Sequence, residues 1–191
     1  MPRLTLPDGS VREYAGTTTG QAVAESIGAG LAKAAVAIVV DGQQQDLSEP
    51  ISADASIRIL TVKDPAGLEV VRHTLAAQVL ARAVKELYPA ARLAIGPTIE
   101  DGCYYDIAFP NPISSDDLPK IESRMKEIIA EGNDVVREEI HIANLTDYFR
   151  RISNEPFKIE IMDDQVQKGR LIKKPEIAFE GFSAYRQKNT K

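Results

Sequence analysis

The chain has 191 residues, a formal net charge of -5 and one cysteine. That length holds one or two domains with cores of their own. No apolar run approaches the ~20 residues a membrane span needs, and one cysteine excludes an internal disulfide framework. The first 62 residues carry four Lys/Arg against seven Asp/Glu, and the remainder 19 against 21. Neither part is a basic module, which argues against a nonspecific nucleic-acid coat but leaves room for a local patch that binds a folded RNA. The opening MPRLTLPDGS lacks the apolar stretch of a signal peptide, and the single cysteine makes a reducing cytoplasm the simplest expected compartment.

Residues 3–6 alternate as a strand, Pro7-Asp8-Gly9-Ser10 forms a turn, and Val11 to Tyr14 return as a hairpin. Thr17-Thr18-Thr19 offers hydroxyls to cap a helix from Gly20 to Ile27, ended by Gly28 and Gly30. A short turn at 31–34 leads to the apolar run Val36–Val40, a central strand, and Asp41-Gly42 turns it back. Leu47, Ile51 and the alternating Ile57, Ile59 and Thr61 complete a small mixed sheet. Strand, turn, strand, helix, then strands over some 60 residues predict a ubiquitin-like β-grasp.

Asp64-Pro65 starts the next helix, with Asp as cap and Pro where its missing N–H costs nothing. It runs to Leu87, about six turns, and Tyr88-Pro89 stops it. Leu68, Val71, Leu75, Val79, Ala83 and Leu87 recur at spacings of three and four, a predicted buried stripe with His73 near its edge. Residues 92–99 and 103–109 read as paired strands around Asp101-Gly102. Ser114 or Ser115 caps a further helix whose stripe is Leu118, Ile121, Met125 and Ile128. A strand at 135–140, a short helix capped by Asn144 and a strand at 157–161 follow. The remainder is charged, with weak apolar patches at 171–172 and 177–182.

Two stretches carry a family resemblance. The opening Leu6-Pro7-Asp8-Gly9-Ser10 resembles the start of a TGS domain, although these five residues alone also read as an ordinary hairpin turn. Gly96-Pro97-Thr98-Ile99-Glu100-Asp101-Gly102-Cys103-Tyr104-Tyr105-Asp106, preceded by a helix bearing His73, resembles the editing domain of bacterial threonyl-tRNA synthetases. The resemblance covers the whole chain. It implies an α+β fold: a TGS β-grasp domain over residues 1–62, then an editing-like domain over 63–191 with a long helix on an antiparallel sheet, shortened at its C-terminus.

In that family the editing domain hydrolyses serine wrongly attached to the threonine tRNA. The tRNA 3′ end enters a cleft lined by the two histidines of H-x-x-x-H. A lysine and a later D-x-C-R-G-P-H segment complete the cleft. Ester hydrolysis requires a positioned water, a group to handle its proton and donors for the developing oxyanion. Here His73 matches the first histidine, but Ala77 stands in place of the second. Lys158 matches the lysine and Tyr104 a cleft tyrosine, as substrate-binding candidates. Ala184-Tyr185-Arg186-Gln187 resembles the sequence shortly before the Cys-and-His segment, which does not follow.

Plain readings stand beside these. A lone histidine beside an apolar stripe is often packed or solvated. Cys103 fits a small core side chain, and Lys158 an exposed strand lysine. His141 matches no motif, Asp163-Asp164 has no metal-ligand partner, and no zinc or phosphate-loop pattern occurs, so no cofactor or metal is expected. Nothing resembles the aminoacylation core. The expected role is a tRNA-associated accessory module that has largely lost editing. Its partner would be the threonine tRNA or a synthetase in trans, with no membrane. The alternatives are a hydrolase that deacylates mischarged Ser-tRNA in trans, resting on His73, and a regulatory module without RNA.

Overall fold

The computed structural model describes residues 1–141, 148, 156–157, 159–160, 173–174 and 179–188. The chain divides into two compact units, Met1–Arg72 and His73–Lys191.

In the first unit β1 (Arg3–Thr5) and β2 (Val11–Glu13) form the expected hairpin, tied by the Leu6 amide on the Ser10 carbonyl. β3 (Thr18–Thr19) precedes α1 (Gly20–Ile27), capped by the Thr19 hydroxyl, which accepts from the Ala22 amide at 3.2 Å. Gly28 closes α1, but the predicted turn after it is a second helix, α2 (Ala29–Ala34), with Gly30 inside it. Its residues, AGLAKA, are strong helix formers apart from that glycine. β4 (Ala35–Val40) turns at Asp41 (φ 47°) and Gly42 (φ 82°) into β5 (Gln43–Gln45). Two consecutive left-handed residues match the strands' own twist, which is why Asp-Gly signalled this hairpin. β6 (Pro50–Ile51) pairs with β3, and β7 (Ala55–Thr61) runs parallel to β1 and antiparallel to β4. The sheet order β2-β1-β7-β4-β5 is the predicted mixed β-grasp. Its core is Leu4, Val23, Ile38, Ile51 and Ile57, each contributing about 1.5–3 kcal/mol of burial.

Asp64 ties the end of β7 to the helix that follows. Its carboxylate accepts from the Thr61 amide (2.9 Å) and from Arg58 (2.9 Å). α3 (Pro65–Thr74) then passes into a π-helical segment, Leu75–Leu80, and into α4 (Ala81–Leu87). The predicted stripe fails in part. Ala76, Val79, Ala83 and Val84 are buried, whereas Val71, Leu75 and Leu87 are more than a third exposed. The π turn adds a residue to one turn and shifts the phase of what precedes it, Val71 included, whereas Leu87 is the last residue of α4.

Beyond Tyr88, the second unit holds two short antiparallel pairs: β8 (Arg92–Leu93) with β11 (Ile107–Ala108), and β9 (Thr98–Ile99) with β10 (Gly102–Cys103). Ser114 forms a capping box with Asp117 over a 3-10 turn, Ser115–Asp117, that leads into α5 (Leu118–Ala130). Ile121 and Ile128 are buried, but Leu118 is 56% exposed, since it stands in the first turn where the helix has only begun to pack. Gly132 (φ 63°) ends this region. β12 (Val135–His141) pairs along its length with β14 (Phe179–Gln187), whose far edge takes β13 (Lys173–Lys174). The strand β14 falls where the sequence offers only weak apolar patches. Tyr148 is helical, as expected. Phe157, Ile159 and Glu160 are helical where the alternation predicts a strand, because a five-residue pattern is a weak signal against tertiary context. The second core gathers Val79, Ala83, Val84, Ala91, Leu93, Ile121 and Ile128, so the long helix packs against both the hairpin and α5.

Candidate functional site

His73 lies on the last full turn of α3 with its side chain exposed. Ala77, four residues on, lies inside the π segment and is half-buried. The two positions therefore do not share uninterrupted α-helical geometry. The amide of Ala81 donates to the carbonyl of Ala76, five residues back, where an α-helix would use Ala77.

The Gly96–Asp106 stretch is a bent hairpin. Its tip pairs Thr98 with Cys103 and its base pairs Leu93 with Ile107, so the register slips by one residue between them. The slip is a bulge: Ala94 donates to the Asp106 carbonyl, while Asp106 donates to Ile95. Gly96 is required here. A Cβ on it would stand 2.6 Å from the Tyr105 ring. Tyr105 thus turns inward, while Tyr104 is 65% exposed with its amide on the Pro97 carbonyl. The consecutive tyrosines of the motif have opposite duties, one closing the fold and one facing solvent.

The best-built polar cluster joins the long helix to β14. Gln78 Nε2 donates to the Tyr185 carbonyl (2.9 Å) and Gln187 Nε2 donates to the Gln78 carbonyl (3.0 Å). Arg82 donates to Gln187 Oε1 (2.6 Å) and pairs with Glu86 and Glu131, both at 2.7 Å. Arg124 from α5 reaches the same two carboxylates. Burial pushes the Glu86 carboxyl up, but hydrogen bonds from Arg124 and Arg82 outweigh it and hold it below its ordinary range. The Arg82 hydrogen bond does the same for Glu131. Sequence reasoning missed this cluster. Its signal was a glutamine and an arginine one turn apart, which has no motif of its own.

A cavity of about 420 Å³ opens between the long helix, the hairpin and α5, lined by Leu80, Val84, Tyr105, Phe109, Ile121 and Met125 among others. Glu122 is the one charged residue of its lining, and neither His73 nor Tyr104 lines it. Cys103 is half-buried rather than in the core. Lys158 lies outside the described residues, as do Asp163 and Asp164. No group of three metal-ligating side chains occurs among the described residues, and no helix there is long and apolar enough to cross a membrane.

Residues 2–61 match the family model of the TGS domain, in agreement with the β-grasp topology of this region. Over most of its length the chain is similar to threonine–tRNA ligases. The chain is 48% identical over 162 residues to the threonine–tRNA ligase of Rhodospirillum rubrum, covering 85% of this chain and 25% of that protein. The same enzyme from Hyphomonas neptunium is 48% identical over 172 residues (90% and 26%), and that from Sinorhizobium fredii 50% over 160 (84% and 24%). The chain is thus similar to the N-terminal part of bacterial threonyl-tRNA synthetases and spans about a quarter of the length of these relatives.

Proposed function

We propose that this chain is a tRNA-associated module of the threonyl-tRNA synthetase N-terminal type, with its editing chemistry largely lost. Its domains are the TGS domain over residues 1–62 and an editing-like domain over 63–191. The observation that carries the reading is the near-50% identity that runs across both units to the N-terminal part of those enzymes. The threonine tRNA is the proposed partner, with a synthetase in trans as the protein partner, in the cytoplasm.

Loss of editing rests on Ala77. An alanine methyl neither accepts nor donates a proton, so the group meant to share a water with His73 is missing. Removal of one member of a cooperating catalytic set commonly costs orders of magnitude in rate. His73, Tyr104 and Lys158 are then left as contacts for the tRNA end rather than as a complete hydrolytic set.

The test is deacylation of threonine tRNA mischarged with serine, by the 191-residue chain and by His73→Ala. The expected result is no rate above buffer for either. A rate above buffer that disappears in His73→Ala would replace this reading with that of a hydrolase acting in trans.

A further inference from the structure

The sequence of the π segment gives it no reason to be π. Leu75-Ala76-Ala77-Gln78-Val79-Leu80 consists of strong helix formers apart from Val79 and contains neither Gly nor Pro. The apolar spacing through Val71, Leu75, Val79 and Ala83 suits an unbroken α-helix. Yet the Ala81 amide reaches back five residues, and Val71 and Leu75 are left more than a third exposed. A local preference overridden in this way must be overridden by tertiary contacts.

The contacts that override it run in both directions. Gln187 is 6% exposed and its amide is used at both ends. Oε1 accepts from Arg82, and Nε2 donates to the carbonyl of Gln78, inside the π turn. Gln78 in turn sends its own side chain to the Tyr185 carbonyl on the same strand. The strand is itself held in register by β12, with Val135 opposite Gln187 and the Lys188 amide on the Asp134 carbonyl. Turns of the π kind arise where a side chain engages the helix ladder, and they recur at functional positions.

We infer that Gln187 is a conformational latch: docking of β14 through Gln187 holds Leu75–Leu80 in the π form, and release of that latch lets the segment return to α. The change is worth one residue of helix. Removing it turns His73, Thr74 and Leu75 by about 100° around the axis relative to Ala81–Leu87, and moves them about 1.5 Å along it. The latch therefore sets the direction in which the His73 side chain leaves the helix. It couples the end of β14 to that face through the Gln78 carbonyl.

The acceptor of the Ala81 amide reports the state directly. Scalar coupling across the hydrogen bond, measured by NMR on the full chain, should join the Ala81 nitrogen to the Ala76 carbonyl carbon in the native protein. In Gln187→Leu, which roughly keeps the size and removes the contacts to Arg82 and Gln78, the coupling to Ala76 should be lost and one to Ala77 should appear. Gln187→Glu at neutral pH keeps the acceptor for Arg82 and removes the donor to Gln78. It should give the same switch, and it decides the matter if the leucine variant does not fold. Retention of the Ala76 coupling in a folded Gln187→Glu protein would overturn the inference, because the π form would then stand without the latch.

Discussion

Gly67 offers the sharpest stability test of the way β7 hands over to α3. A Cβ at this position would lie 2.0 Å from the Thr61 carbonyl oxygen and 2.7 Å from its carbon, against a floor of 3.0 Å for real contacts. Either the helix or the strand end must therefore retreat by at least 1.0 Å, the difference between 3.0 and 2.0. The obstacle is backbone, and it is fixed: the same carbonyl accepts from the Asp64 amide at 3.0 Å, and Asp64 grips the Thr61 amide in return. Overpacking of this kind costs about 1–3 kcal/mol, and loss of a backbone hydrogen bond adds about 1 kcal/mol. Gly67→Ala should therefore destabilise the first unit by about 2–4 kcal/mol. Gly30, inside α2 with nothing within 4 Å of an added Cβ, is the control. Gly30→Ala should be neutral or stabilise by about 0.5–1 kcal/mol through helix propensity. Urea titration followed through amide resonances of residues 1–61 reads this unit separately from the second. A loss below about 1 kcal/mol in Gly67→Ala, under the range for overpacking, would refute the claim that the junction is rigid.

Three further outcomes follow from the same contacts. Leu60 is fully buried in β7, and Leu60→Ala should cost about 3 kcal/mol in that titration while the second unit's midpoint stays where it is. Asp64 is held below its ordinary value of 3.8, first by the Thr61 amide and then by the Thr61 hydroxyl and Arg58 against a burial effect of opposite sign. A depressed carboxyl contributes stability that is present above its unfolded pKa and is lost as pH falls through the folded one. The first unit should thus lose stability as pH drops below 3.8, and Asp64→Asn should flatten that limb; an unchanged limb would place the acid sensitivity elsewhere. In the second unit, Glu86 and Glu131 are likewise depressed. Arg82→Met should therefore flatten the acid limb of that unit's urea midpoint, and it should also release Gln187 Oε1.

The first unit was legible because its signals are local and each has its own mechanism. Thr19 caps α1, Asp41-Gly42 makes the hairpin, and the Val36–Val40 run lies between two strands. The second was legible only in outline. A cap at Ser114 or Ser115 and the stop at Tyr88-Pro89 were readable; the capping box that picks Ser114 was not. The π turn was not, since the residues that impose it, Gln187 and Arg82, act across more than a hundred positions or from the next turn of the helix. The same distance hid β14, whose pairing with β12 supplies order that its own sequence does not announce. At the candidate site, the motif from Gly96 to Asp106 pointed to one loop. It did not by itself distinguish the inward Tyr105 from the exposed Tyr104; Tyr105 packs with Ile107 and Phe109, the alternate residues of its extended segment, on the second core.

Association with tRNA is tested most directly by a binding titration. The 191-residue chain is titrated against the threonine tRNA and an unrelated tRNA at two salt concentrations. With a net charge of -5, the chain has little bulk attraction for phosphate, so binding should come from a shaped site. The expected result is tighter binding of the threonine tRNA at both salts, with its margin over the other tRNA retained as salt rises. Weak and equal binding of both that vanishes at the higher salt would be the nonspecific phosphate contribution alone, and would contradict a tRNA-associated role.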